Sequence, residues 1–191
     1  MSRADKPLPQ KIGPWLKLGS KQIYSNAWLA LTHEPVITPG GSEGVYAKVH
    51  FKHHAIAVLP IDDNGHTWLV GQHRYALDAF SWELPMGGGR LDEEPLQAAK
   101  RELKEETGLA ASHWQMLMKL HTSNSVTDEL AYVFVAKKLT AGEQALEPEE
   151  ADLVLRKLPL NEAVAMALNG EITDAISVAA LLAVDRNQAL L

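Results

Sequence analysis

Alternating apolar and polar positions predict a run of short strands near the start of the chain. Residues 15–24, 28–37 and 45–51 read as three strands, parted by Ser25-Asn26 and by the turn-rich Pro39-Gly40-Gly41-Ser42-Glu43-Gly44. They predict a small antiparallel sheet ahead of a main domain and set a boundary between 1–52 and 53–191. The proline-rich start, through Pro14, is expected to be mobile. Residues 55–61 and 67–72 form a predicted hairpin, because Asn64-Gly65 accepts the positive φ of a tight turn. Further strands are expected at 115–121, 131–138 and 153–158, with helices at 160–168 and 173–185. Strands, one charged helix at 93–107 and two late helices predict an α/β fold layered α/β/α, with a mixed sheet.

The helix at 93–107 has clear ends. Asp92 is a candidate cap, Pro95 suits a first helical turn, and Gly108 supplies a left-handed stop. At about 100° per residue, Leu96, Ala99 and Leu103 form an apolar stripe, while Glu102, Glu105 and Glu106 fan across a separate face. Carboxylates spaced this way repel one another, which points to a bound cation, and an all-oxygen donor set favours Mg²⁺ or Mn²⁺. Before the helix, Gly87, Gly88 and Gly89 let the backbone bend, so that the carbonyl of Met86 or Gly87 is a further candidate metal ligand. A solvated glutamate-rich helix is the competing reading of the three glutamates taken alone.

Composition narrows the classes. The chain has 191 residues, 46% of them hydrophobic, enough for one compact core without a second independent domain. A net charge of −6 with no dense basic stretch speaks against a nucleic-acid partner, and the absence of cysteine excludes disulfides and thiolate metal sites. There is no signal-peptide pattern, and the longest apolar run, 175–184, is too short to span a bilayer. The expectation is a cytoplasmic protein that engages no membrane.

The order of residues from Gly87 to Leu109 resembles the Nudix hydrolase box: Gly, five residues, Glu, seven residues, Arg-Glu, an aliphatic residue, any residue, Glu-Glu, any residue, Gly, aliphatic. Gly87, Glu93, Arg101, Glu102, Leu103, Glu105, Glu106, Gly108 and Leu109 fill every fixed position. The resemblance implies Mg²⁺-dependent attack of water on a diphosphate, with Glu102 and Glu106 as metal ligands and Glu105 assisting. Gly87, Glu93, Arg101 and Gly108 would be structural, Glu93 by pairing with Arg101.

Flanking residues are similar to those of ADP-ribose pyrophosphatases and related nucleoside-diphosphate-sugar hydrolases. They are Gly71-Gln72-His73-Arg74-Tyr75 and Trp82-Glu83-Leu84-Pro85-Met86-Gly87. This resemblance implies substrate contacts from Arg74, Glu83, Glu129 and Trp28, the last as a stacking platform for a base, against an ordinary core tryptophan as the alternative. It also implies a homodimer that shares its N-terminal sheet. The water-activating glutamate of relatives aligns with Ala151, leaving Glu149 and Glu150 as candidates. The expected activity is cleavage of a nucleoside diphosphate sugar, ADP-ribose first, to a nucleoside monophosphate and a sugar phosphate. GDP-mannose or dinucleoside polyphosphates are alternative substrates, and a non-catalytic nucleotide-sugar sensor is the alternative class.

Overall fold

A computed structural model describes residues 8–146 and 150–187, which divide into two compact units. The first comprises the chain through Lys52 together with Ser123–Glu129; the second holds His53–Thr122 and the chain from Leu130 onward.

The first unit is an all-antiparallel sheet of β1 (Gln10–Ile12), β2 (Trp15–Lys17), β3 (Lys21–Ser25), β4 (Leu29–Ile37) and β5 (Glu43–Phe51). β4 is its centre: β5 covers one edge along the whole length, while β2 and β3 share the other. The strand expected over 15–24 is therefore two strands. They meet β4 on either side of Pro35, which has no N–H to offer and whose carbonyl instead takes the N–H of Leu18 at 2.8 Å. Within the stretch expected to be mobile, residues 10–12 form a strand instead, since β1 pairs with β2 in the register Lys11↔Leu16; residues 1–7 lie outside the described residues.

Segment Ser123–Glu129, which the sequence places in the second domain, packs with the first unit instead. It lies along the outer edge of β5: Val49 N–H donates to Val126 O at 2.9 Å, and Asp128 N–H to Val49 O at 3.2 Å. The Asp128 carboxylate extends this ladder, accepting from Phe51 N–H at 3.1 Å and pairing with His50 Nδ1 at 2.8 Å.

The second unit contains β6 (His53–Pro60), β7 (His66–Arg74), β8 (Ala79–Glu83), β9 (Met86–Arg90), α1 (Pro95–Thr107), β10 (Leu109–His121), β11 (Leu130–Ala141), β12 (Val154–Pro159), α2 (Leu160–Asn169) and α3 (Ala175–Arg186). A mixed sheet runs β10-β11-β6-β9, parallel only between β11 and β6, and an antiparallel sheet runs β12-β7-β8. β6 shows how the layers form. Its Ile56 and Val58 pack with Ala98, Ala99 and Leu103 of α1, while Ala57 and Leu59 face the opposite way, into a cluster with Leu69, Val133, Ala180 and Leu181. Period-two alternation on a central strand thus places α1 on one side and α2 with α3 on the other, the expected α/β/α layering. The apolar stretch at 175–184 is core: Ile176, Ala180, Leu181 and Val184 of α3 are buried. Among the described residues no helix is long and apolar enough to cross a membrane.

Two local expectations are corrected, and the competing reading of a solvated glutamate face fails. Helix α1 starts at Pro95 with Glu94 as its N-cap and no side-chain cap, because Asp92 is engaged by Arg90 at 2.7 and 2.9 Å. Gly87, Gly88 and Gly89 do not form a bend; they lie in β9, paired with Ile56, Ala55 and His54 of β6. The glutamate face of α1 is not a solvated one either, since Glu102 and Glu106 are 5% and 1% exposed.

Candidate active site

The start of β9 and the second half of α1 approach each other closely enough to bury two carboxylates. Residues 102 and 106 stand one helical turn apart on the face that meets β9. Glu106 Oε2 accepts the Met86 N–H at 2.8 Å. Glu102 lies against Gly87, where a Cβ would stand 2.2 Å from Oε2, so the close approach requires glycine. Met86 was expected to contribute its carbonyl; the contact seen here uses its amide.

Arg101 ties the loop to the helix. Its Nη1 donates to Glu102 Oε1 at 2.7 Å and to Glu105 Oε2 at 3.0 Å, and its Nη2 donates to Gly88 O at 2.9 Å and faces Glu93 Oε2 at 3.7 Å. Glu93 and Glu105 remain half-exposed. The planar guanidinium suits this task, since it serves several acceptors in fixed directions.

Burial dominates the chemistry of the two enclosed acids. It pushes the Glu106 carboxyl up to about 9; the Met86 N–H opposes this, and the charges of Glu150 and Glu102 add to it. Burial likewise raises Glu102 to about 7, against the pull of Arg101 and with help from Glu105 and Glu150. Glu149 lies outside the described residues. Among the described residues no three acidic or histidine side chains converge as a ready metal cage. Even so, two buried, mutually repelling carboxylates form an oxygen donor set that a hard divalent cation fits.

Arg74 and Glu83 were expected as separate substrate contacts, yet they hold each other. Arg74 Nε donates to Glu83 Oε1 at 2.9 Å, and Nη2 engages Oε2. Glu83 is buried, and its hydrogen bonds raise the Arg74 pKa, helped by the charges of Glu106 and Asp174. The β7–β8 register pairs Arg74 with Ala79 and Val70 with Glu83, so Arg74 and Glu83 sit at opposite ends of the ladder on one face, and the long arginine side chain spans the gap. The alternation in Ala79-Phe80-Ser81-Trp82-Glu83 was the signal for that missed strand.

Trp28 and Glu129 belong to the first unit. Trp28 is 57% exposed, so it is not a core residue; Asn26 Oδ1 fixes its turn by accepting the N–H groups of Trp28 and Leu29, each at 2.8 Å. Glu129 is half-buried at the end of the segment clipped to β5. Gly108 caps α1 with φ 70°, as expected.

Known proteins resemble this chain over most of its length. The chain is 38% identical over 172 residues to an ADP-ribose pyrophosphatase of Mycobacterium tuberculosis, covering 87% of this chain and 81% of the relative. It is 32% identical over 175 residues to an ADP-ribose pyrophosphatase of Bacillus subtilis, covering 91% and 94%. A crystal structure of an ADP compounds hydrolase shares the fold, with a TM-score of 0.82 at 22% identity over 95% of this chain and 100% of the other. Residues 51–181 match the NUDIX domain, and with the relatives covering most of its length the chain belongs to the Nudix hydrolase family.

Proposed function

We propose that this chain hydrolyses the pyrophosphate bond of ADP-ribose to AMP and ribose 5-phosphate with the help of Mg²⁺ or Mn²⁺. The observation that carries the reading is the buried Glu102–Glu106 pair facing β9, together with extensive similarity to two ADP-ribose pyrophosphatases. Glu102 and Glu106 hold the metal, with the Met86 carbonyl and Glu105 assisting. An ion held by these residues would supply charge to offset the pyrophosphate oxygens and to acidify water. Glu149 or Glu150 would serve as the general base that accepts the proton of the attacking water. Arg74, kept in place by Glu83, orients a phosphate with the guanidinium donors that Glu83 leaves over. Trp28 stacks on the base and Glu129 accepts from a sugar hydroxyl. A second copy of the chain completes the arrangement as a homodimer through the N-terminal sheet, whose strand β3 is exposed throughout.

The test is a panel of nucleoside diphosphate sugars and dinucleoside polyphosphates, assayed for monophosphate release with Mg²⁺. ADP-ribose should have the highest kcat/KM, and Glu106→Gln should lower it by about 10³ or more. A panel on which GDP-mannose or a dinucleoside polyphosphate wins would reassign the substrate. No turnover of any member, with Glu106→Gln matching the parent, would refute the enzymatic reading. Replacing both Glu149 and Glu150 by Gln should cut kcat strongly while sparing substrate binding.

A further inference from the structure

β8 and β9 belong to different sheets, and the chain crosses between them in two residues, Leu84 and Pro85. A crossing this short carries backbone groups that lie beyond both ladders and need partners of their own. Pro85 has no N–H to place, and its carbonyl accepts from Val58 N–H of β6 at 2.9 Å. Met86 N–H, the first of β9, goes to Glu106 Oε2 at 2.8 Å. Leu84 N–H donates to the hydroxyl of Ser177, on α3, at 2.9 Å.

Ser177 is 0% exposed and stands one turn before the core residues Ala180 and Leu181. A serine so placed is costly unless its hydroxyl is used, and the Leu84 amide is the use it finds. Its own N–H is already served, since Asp174 caps α3 and accepts it at 2.7 Å. Apolar packing holds the same geometry: Leu84, also 0% exposed, shares a cluster with Ile176, Ala180 and Leu181.

Residues of the site stand at both ends of the crossing. Glu83, just before it, holds Arg74, and Met86, just after it, holds Glu106. We propose that Ser177 is a positioning residue: by fixing the Leu84 amide it sets the path of the crossing, and with it the Met86 amide against Glu106 and the Glu83 carboxylate against Arg74. The ring of Pro85 already fixes one torsion, so an anchored Leu84 leaves little freedom between Glu83 and Met86. Without its acceptor the buried Leu84 N–H is unsatisfied, and the peptide turns to find another partner, taking its neighbours with it. The effect on turnover rests on the hydrolytic reading above.

Ser177→Ala removes the acceptor, and Ser177→Cys keeps the size with a poor one. Both should lower the melting temperature by a few degrees, because a buried N–H loses its partner. Val184→Ala is the control: it opens the same core two turns further along α3, away from the crossing, and also lowers the melting temperature. Binding of Mn²⁺ alone, followed by the electron paramagnetic resonance of the free ion, should weaken by roughly three- to tenfold in both Ser177 variants. Their kcat for ADP-ribose should fall by roughly tenfold, and the Met86 amide should exchange faster with solvent relative to that of Val133 in β11. Val184→Ala should keep the parental Mn²⁺ affinity and kcat. If it instead loses as much of both as Ser177→Ala, the effect is general softening of the fold and the proposal is overturned. Parental Mn²⁺ affinity and Met86 exchange in both Ser177 variants, with Glu106→Gln inactive, would also overturn it and leave the hydrolytic reading standing. A parent that turns over no substrate overturns that reading, and Mn²⁺ affinity and Met86 exchange then decide the positioning role by themselves.

Discussion

The backbone of Gly87 touches the carboxylate of Glu102 so closely that a methyl group at residue 87 would stand 2.2 Å from Oε2 and 2.3 Å from the carboxyl carbon. Gly87 lies in β9 without a positive φ, so alanine is acceptable to its backbone and objectionable only to its neighbour. Gly87→Ala should therefore fold yet displace Glu102 by an ångström or more. Misplacement on that scale costs about 10² in rate. Steady-state kinetics beside a thermal melt check this: a variant with parental kcat would show that Glu102 is free to move without consequence.

Arg101 serves Glu102, Glu105 and Gly88 O at once, with Glu93 beside it. Lysine keeps the charge but cannot reach acceptors in several fixed directions. Arg101→Lys should lower the melting temperature by a few degrees and kcat by about tenfold. Glu93→Gln, which touches only the longest of these contacts, should do much less. Equal effects from the two would mean that Glu93, not the carbonyl of Gly88, orients the guanidinium.

Why the sequence announced α1 but not the burial of its glutamates follows from where each signal resides. Pro95 and Gly108 act within their own turns, so the ends of the helix were readable to within two residues. The burial of Glu102 and Glu106 depends on docking against β9, and β9 itself was hidden because Gly87-Gly88-Gly89 has no side chains to alternate. The same holds for Asp128, whose partner His50 is 78 positions away. Nothing local marks Ser123–Glu129 as belonging with β5, whereas the split of the strand expected at 15–24 did have a local signal in Gly19-Ser20, between β2 and β3. By contrast, the box residues Glu93 and Arg101 meet as expected, since a loop and the helix that follows it bring them together.

Metal removal should expose the cost of burying the two acids. Both folded pKa values, about 7 for Glu102 and about 9 for Glu106, lie above those of an unfolded chain, near 4.5. Between these limits the folded state holds more protons than the unfolded one, so stability is full below about pH 4.5 and falls as pH rises toward 9. A divalent cation replaces those protons. Melting in chelator should therefore drop by roughly 5 °C or more from pH 6 to pH 9, with Mg²⁺ restoring most of the loss at the upper end. Glu106→Gln should flatten the chelator curve. A metal-free curve that is already flat would contradict the burial argument.

The Arg74–Glu83 pair offers a test of whether Glu83 acts through Arg74. Glu83 is buried and Arg74 is its partner through two hydrogen bonds, so Glu83→Gln leaves a weaker, neutral acceptor. KM should rise by about five- to twentyfold in both Glu83→Gln and Arg74→Lys, and the double variant should be little worse than either alone. Additive losses would assign Glu83 a contact of its own.

Trp28 separates a binding role from a packing role, because its ring is 57% exposed while its backbone is fixed on both sides. Lys52 N–H donates to Trp28 O at 2.8 Å, and Asn26 holds the turn before it. Removing an exposed ring costs about 0.5 kcal/mol of stability or less, whereas a buried tryptophan would cost several. Base–aromatic stacking is worth about 1–3 kcal/mol, equivalent to roughly a five- to hundredfold change in affinity. Trp28→Ala should thus melt with the parent and raise KM for ADP-ribose into that range, with Trp28→Phe recovering part of it. The loss should be much smaller for a substrate that presents no base, such as a diphosphate ester of ribose alone. Equal losses with and without a base would mean that Trp28 shapes the sheet rather than reads the nucleotide.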